Sequence, residues 1–194
     1  MKIKTRDICL CAVFAALTAV GAFIKIPIPY VPFTLQTLFT SMAGLLLGSR
    51  RGGLSILIYI IIGLLGIPVF TQGGGIGYVL MPTFGYLIGF MFGTFLTGLI
   101  SERYVKRALE IGEKLSFFRL FISALAGLAV IYLFGVVYFY VIRNYVSGGQ
   151  PIGVYDLLLY CFLVFIPGDV ASCVVSAIIA KRLLPVLARR SEND

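Results

Sequence analysis

Histidine is absent from this 194-residue sequence, which removes the commonest metal ligand and general base and excludes Ser–His proteolysis. Charge is scarce: Asp, Glu, Lys and Arg together make up 12% of the chain, about half their share in soluble domains. No Gly-x-x-x-x-Gly-Lys-[Ser/Thr] loop occurs, so the chain cannot hydrolyse ATP by that route. No Cys-x-x-Cys pair occurs either. The four cysteines, Cys9, Cys11, Cys161 and Cys173, all fall in apolar segments and read as small core residues, without a disulfide or metal site.

What is abundant is apolar surface. Hydrophobic residues are 60% of the chain and mean hydropathy is +1.03, more than a soluble fold of this length can bury. They fall into blocks close to the roughly 20 residues that cross a bilayer core. The expected fold class is an all-α integral membrane protein whose six spans cover 8–24, 33–49, 53–70, 78–100, 118–142 and 155–187, in a single domain over 1–194. The last span is too long for one straight crossing, and Pro167-Gly168 predicts a bent or re-entrant segment leading into a helix. The first lacks a small-residue cleavage site and reads as a retained span. Ser101 to Ser116 is a short connector of helical composition. Arg189 to Asp194 reads as a frayed polar tail.

Basic residues prefer short cytoplasmic loops. With the N-terminus inside, Lys2, Lys4, Arg6, Arg50, Arg51, Arg103, Lys106, Arg107, Lys114, Arg119, Lys181, Arg182, Arg189 and Arg190 all lie inside. Of 16 Lys and Arg only Lys25 and Arg143 fall outside, leaving 14 in agreement. Both termini are therefore expected in the cytoplasm. The net charge of +8 is a topology signal, reinforced by anionic lipid. It is split among four segments rather than gathered as a nucleic-acid footprint, so no nucleic acid is expected.

Small residues recur at helical spacing: Ala12, Ala15, Ala16, Ala19 and Ala22 on the first span, and Gly85, Gly89 and Gly93 on the fourth. Such stripes let backbones approach in lipid. The glycines predict packing inside the bundle, and the alanines suit either that or a partner membrane protein.

An ionisable side chain inside an apolar span marks function by default, and Asp169 is that residue. Twelve positions before Lys181, it lies roughly 18 Å from the cytoplasmic end of a helix, with Ser172, Cys173 and Ser176 on the same face. It suits a helix cap or a ligand contact. Two outward connections add candidates. Thr71-Gln72-Gly73-Gly74-Gly75-Ile76-Gly77-Tyr78 can set bare backbone against a ligand or be a flexible loop. Ile26 to Thr37 combines a proline-stiffened lid with Thr34, Gln36 and Thr37 or is a rigid turn. With Pro82-Thr83 and Asp169 they share the outward half and suit a small, mostly apolar ligand. Intramembrane aspartyl chemistry needs facing carboxylates, whereas Asp156 and Asp169 share one segment. No catalytic residue, metal site or cofactor is expected.

Pro32-Phe33-Thr34-Leu35-Gln36-Thr37, Gly66-Ile67-Pro68-Val69-Phe70, Pro82-Thr83 with Gly85-Tyr86 and Gly89-Phe90, and Pro167-Gly168-Asp169, in that order along nearly the whole chain, resemble the BioY family, the biotin-specific substrate-binding components of prokaryotic energy-coupling factor (ECF) transporters. The resemblance implies a vitamin-capturing subunit of the prokaryotic cell membrane that works with a transmembrane coupling protein and two cytoplasmic ATPases. Carried over by motif, it points to Thr34, Gln36, Gly74, Gly75, Thr83, Tyr86 and Asp169 as substrate contacts, and to Ala12 and Ala16 as the docking face for the coupling protein. Three positions depart from the pattern. Ser172 stands where the family usually has a lysine, and Met81 and Phe84 where glycines are expected. A serine brings no positive charge to an anionic ligand, which leaves Lys25 and Arg143 as the outward basic residues. The implied ligand is biotin, with a lipoate-type carboxylate as the alternative on the same scaffold. From another class, a structural membrane subunit would bind no small molecule. A self-sufficient carrier would be expected to show internal repeats and more intramembrane charge, and neither is present.

Overall fold

The computed structural model describes residues 5–147 and 151–192, with side chains to 187. Lys2, Lys4, Asn193 and Asp194 lie outside the described residues, as do the side chains of Arg189 and Arg190. Among the described residues, five helical runs are long and apolar enough to cross a membrane, with mean hydropathies from 1.6 to 2.5. They are α1 (Thr5–Phe23), α2 (Gln36–Leu64), α3 (Phe84–Glu110), α4 (Phe117–Val141, extended by a π-turn to Val146), and a run from α5 (Val154–Leu158) through a π-turn into α6 (Ile166–Glu192).

The second and third expected spans both fall within α2, which differs from the expectation of two helices with a linker between them. Gly48 alone makes the break: its φ of 79° and ψ of −175° belong to a region essentially reserved for glycine, while Ser49, Arg50 and Arg51 are already helical. The two arms then run back along each other. In an unbroken helix Gln36 and Tyr59 would stand roughly 35 Å apart, yet the Gln36 amide donates to the Tyr59 hydroxyl at 3.0 Å. The break is clamped from α3, where Glu102 accepts from the Ser49 amide at 3.3 Å and hydroxyl at 2.8 Å.

Other boundaries shift for local reasons. The third expected span stops at Leu64 rather than residue 70, because Gly66 takes φ +106° and Pro68 has no amide hydrogen to continue a helix. The fourth begins at Phe84, after a 3₁₀ turn over Ile76–Leu80, and runs on through most of the polar connector to Glu110. The expected interruption of the last span lies at Val164–Phe165. Pro167 sits in the first turn of α6, where its missing donor costs little. The polar tail is helical as far as Glu192.

The glycine stripe of α3 faces α4. A Cβ on Gly89 would stand 2.7 Å from the Ile131 carbonyl oxygen, and one on Gly93 would stand 2.6 Å from that of Gly127, so only hydrogen at these sites allows this helix pair to close. The alanine stripe of α1 divides instead. Ala15 and Ala22 are buried and Ala19 is half-buried, whereas Ala12 and Ala16 lie on the exposed side with Ile8, Val13 and Val20. Cys9 is exposed on α1, which corrects the expectation that all four cysteines are core residues; Cys11, Cys161 and Cys173 are buried, and all four are free thiols. The inward serines of α6 tie the bundle together, since Ser176 shares its hydroxyl hydrogen between the Leu38 carbonyl of α2 (3.1 Å) and that of Ser172 (2.8 Å).

Candidate functional site

At one end of the bundle the chain starts α2, α3 and α6 around a common space. These starts carry the positive ends of the helix dipoles. The proline-rich connection after α1 closes over it. Lys25–Ile26 pairs antiparallel with Phe33–Thr34, and this two-residue ladder folds the segment between into a lid with Tyr30 near its tip at φ 68°. Tyr30 rests 5.7 Å from the Tyr160 ring and 6.4 Å from that of Phe139, so aromatic contacts pin the lid across α4 and the α5 run.

Beneath it lies a cavity whose empty space is about 560 Å³, open solvent at its mouth included. Its apolar walls come from the lid, from Leu87 and Phe90 of α3, from Ile131 and from Phe165. Phe33 stacks on Phe165 at 6.2 Å, with ring planes 16° apart.

The polar groups are few and organised. Asp169, buried in the first turn of α6, accepts a hydrogen bond of 2.5 Å from the Tyr132 hydroxyl, and the Thr37 hydroxyl of α2 is its second side-chain neighbour. The residue is already inside the helix, since its own amide donates to the Phe165 carbonyl at 2.9 Å. A carboxylate has about four lone-pair positions. Tyr132 and Thr37 take up at most two of them, so the group retains capacity to accept hydrogen bonds from a ligand. On the opposite wall Thr34 donates to the Gln36 side-chain carbonyl at 3.2 Å, Gln36 donates to Tyr59, and Tyr59 donates to the Val69 carbonyl at 3.1 Å. This relay holds the Gln36 amide in one orientation and fastens it to the glycine-rich loop. The Tyr78 hydroxyl joins Thr83 (3.4 Å) to Thr71 (3.1 Å), and Tyr86 donates across the bundle to the Cys161 carbonyl at 2.7 Å.

The structure thus gathers Thr34, Gln36, Thr83, Tyr86 and Asp169 around one cavity. Gly74 and Gly75 do not border it. Both brace the loop: the Gly75 amide donates to the Gly63 carbonyl at 2.7 Å, and a Cβ on Gly74 would run into the Ile67 carbonyl. Phe70, fully buried between Tyr59 and Tyr78, plugs the loop from below. The three departures from the motif pattern also lie off the cavity wall. Met81 is exposed, Phe84 packs against Tyr138 and Ser172 is buried in α6.

Tyr132 is the main lining residue that sequence reasoning missed. A signal existed, because a tyrosine within the strongly apolar fifth span needs a partner for its hydroxyl, and Asp169 was the acceptor with charge already singled out inside a span. Thr37 and Tyr78 stood inside quoted motifs but were not among the residues carried over as substrate contacts.

The sequence model of the BioY family matches residues 1–189. Among curated relatives, a probable biotin transporter BioY of Lysinibacillus sphaericus is 47% identical over 183 residues, 94% of this chain and 89% of the relative. The biotin transporter BioY of Rhizobium etli is 35% identical over 97% of this chain and 100% of its own length. Among solved structures, the S-component for biotin from an ECF-type ABC transporter superposes with a TM-score of 0.75 at 28% identity, covering 94% of each chain. Sequence and structure agree over almost the full length, and on that ground the chain belongs to the BioY family.

Proposed function

We propose that this protein is the substrate-binding S-component of an ECF-type importer that captures biotin for ATP-driven uptake. The carrying observation is the buried Asp169 carboxylate, oriented by Tyr132 and facing a cavity of apolar walls. The two N–H groups of a ureido ring are a matched pair of donors for its remaining lone pairs, and charge-assisted hydrogen bonds of this kind are the strong ones. Phe33, Phe165 and Phe90 enclose the apolar part of the ligand, and Thr34, Gln36, Thr83 and Tyr86 supply neutral polar contacts. Gly74 and Gly75 serve the site indirectly, by fixing the loop that carries Thr71 and Tyr78.

The protein is a transport subunit, not an enzyme, and it lacks a phosphate loop. Its partners are a transmembrane coupling protein and two ATPases, which supply the motor. Ala12 and Ala16, on the exposed side of α1, form the smooth face against which a coupling helix packs. The chain forms one substrate-binding domain over 1–194. It crosses the prokaryotic plasma membrane six times, the α2 hairpin counting as two crossings, with both termini cytoplasmic and the cavity opening outward. Single-cysteine variants in a chain freed of its native cysteines test the topology: Lys25→Cys should react with a membrane-impermeant maleimide in intact cells, and Glu113→Cys only after permeabilisation. Co-expression tests the function. Copurification with a coupling protein and ATPases, and biotin uptake that requires them, support the reading, whereas uptake by this chain alone contradicts it.

A further inference from the structure

The cavity holds one negative charge, Asp169, and no cationic side chain is among the described residues that line it. A ligand with hydrogen-bond donors at one end and a carboxylate at the other satisfies Asp169 but leaves its own anion without a partner. The position where a family lysine is expected is Ser172, which is buried in α6 and does not border the cavity. Arg143, in the π-turn that follows α4 at the same end of the bundle, is likewise not part of the wall.

Lys25 does reach the rim. Its backbone pairs with Thr34, and its ammonium donates to the Thr71 carbonyl at 2.7 Å; Thr34 and Thr71 both line the cavity. One of three ammonium donors is thereby used. The other two remain on an exposed side chain at the mouth, where an anionic tail can be held without burying its charge.

We propose that Lys25 forms the recognition site for the anionic tail of the ligand, so that this chain reads a carboxylate from the lid side of its cavity instead of from α6. The assignment rests on the biotin reading and adds which end of the ligand faces outward. It separates the two ends by charge: donors go inward to Asp169 and the carboxylate goes outward to Lys25. It also makes ligand capture help close the site, because the ammonium already bridges the segment after α1 to the glycine-rich loop.

The competing role is a plain staple, in which Lys25 only joins the two loops through the Thr71 carbonyl. Equilibrium binding of biotin and of biotin amide, whose tail is uncharged, to the purified full chain and to Lys25→Gln and Lys25→Arg separates the two. An exposed charge pair predicts a loss of roughly twofold to fivefold for biotin in Lys25→Gln. No comparable loss is expected for the amide, affinity should be largely kept in Lys25→Arg, and the difference should shrink at high salt. Equal losses for both ligands, or none for either, would overturn the assignment while leaving the biotin reading in place. A wild-type chain that binds neither ligand overturns both.

Discussion

Replacing Asp169 by asparagine exchanges one side-chain oxygen for an NH₂ group and removes the only charged side chain among the described residues that line the cavity. In the wild type the carboxylate accepts from Tyr132 at 2.5 Å and keeps room for two ligand donors. The amide offers a single carbonyl oxygen. If Tyr132 keeps that oxygen, a ligand N–H meets a donor where it needs an acceptor, and the bond that remains is no longer charge-assisted. Hydrogen bonds to charged groups contribute about 1.5–3 kcal/mol and neutral ones about 0.5–1.5. One lost bond and one weakened bond therefore cost about 3 kcal/mol, which is roughly a 100-fold loss of biotin affinity. Folding should not suffer, because the new amide oxygen still accepts from Tyr132 and a buried charge has been removed. Titration of biotin into the detergent-solubilised variant, beside thermal unfolding of the ligand-free protein, is the assay. Affinity within about threefold of wild type in a folded Asp169→Asn protein, far from the 100-fold expected from the lost charge, would refute the reasoning and return the carboxylate to a structural role at the start of α6.

Three further outcomes follow from the packing. Gly135→Ala places a methyl group against the Tyr86 ring and should both lower stability, by about 1–3 kcal/mol, and weaken ligand binding, as read by unfolding and by titration on the same sample. Gly48→Ala forces a side chain into φ 79°, ψ −175° at a cost of about 1–3 kcal/mol; thermal unfolding of the variant should show that loss, and an unchanged midpoint would mean that the hairpin does not depend on this dihedral. Ala16→Leu, on the exposed side of α1, should leave biotin affinity intact and reduce copurification with the coupling protein and ATPases.

Asp169 was legible because a carboxylate in an apolar run has few tolerable environments, and the glycine stripe of α3 because its spacing is that of a helix face. The reversal inside α2 was legible as the boundary between the expected spans 33–49 and 53–70, but its sharpness was not, since the chain turns at Gly48 alone and the residues after it stay helical. The cavity wall was legible where it follows motifs near helix starts, at Thr34, Gln36, Thr83 and Tyr86. Tyr132 escaped because nothing local to α4 says that its hydroxyl meets α6. Gly74 and Gly75 were assigned to the ligand by the family resemblance, yet their geometry braces the loop through Gly63 and Ile67, a long-range role that a local motif does not distinguish from ligand contact. The alanine stripe divided between core and exposed face for the same reason: five small residues on one helix cover more than one side of it.

Whether this chain is a biotin-capturing subunit is decided by equilibrium binding of labelled biotin to the purified protein, with unlabelled biotin, lipoate and other vitamins as competitors. Tight binding that biotin displaces and lipoate does not is the expected result. Displacement by lipoate with no preference for biotin, or no binding of either, would contradict it.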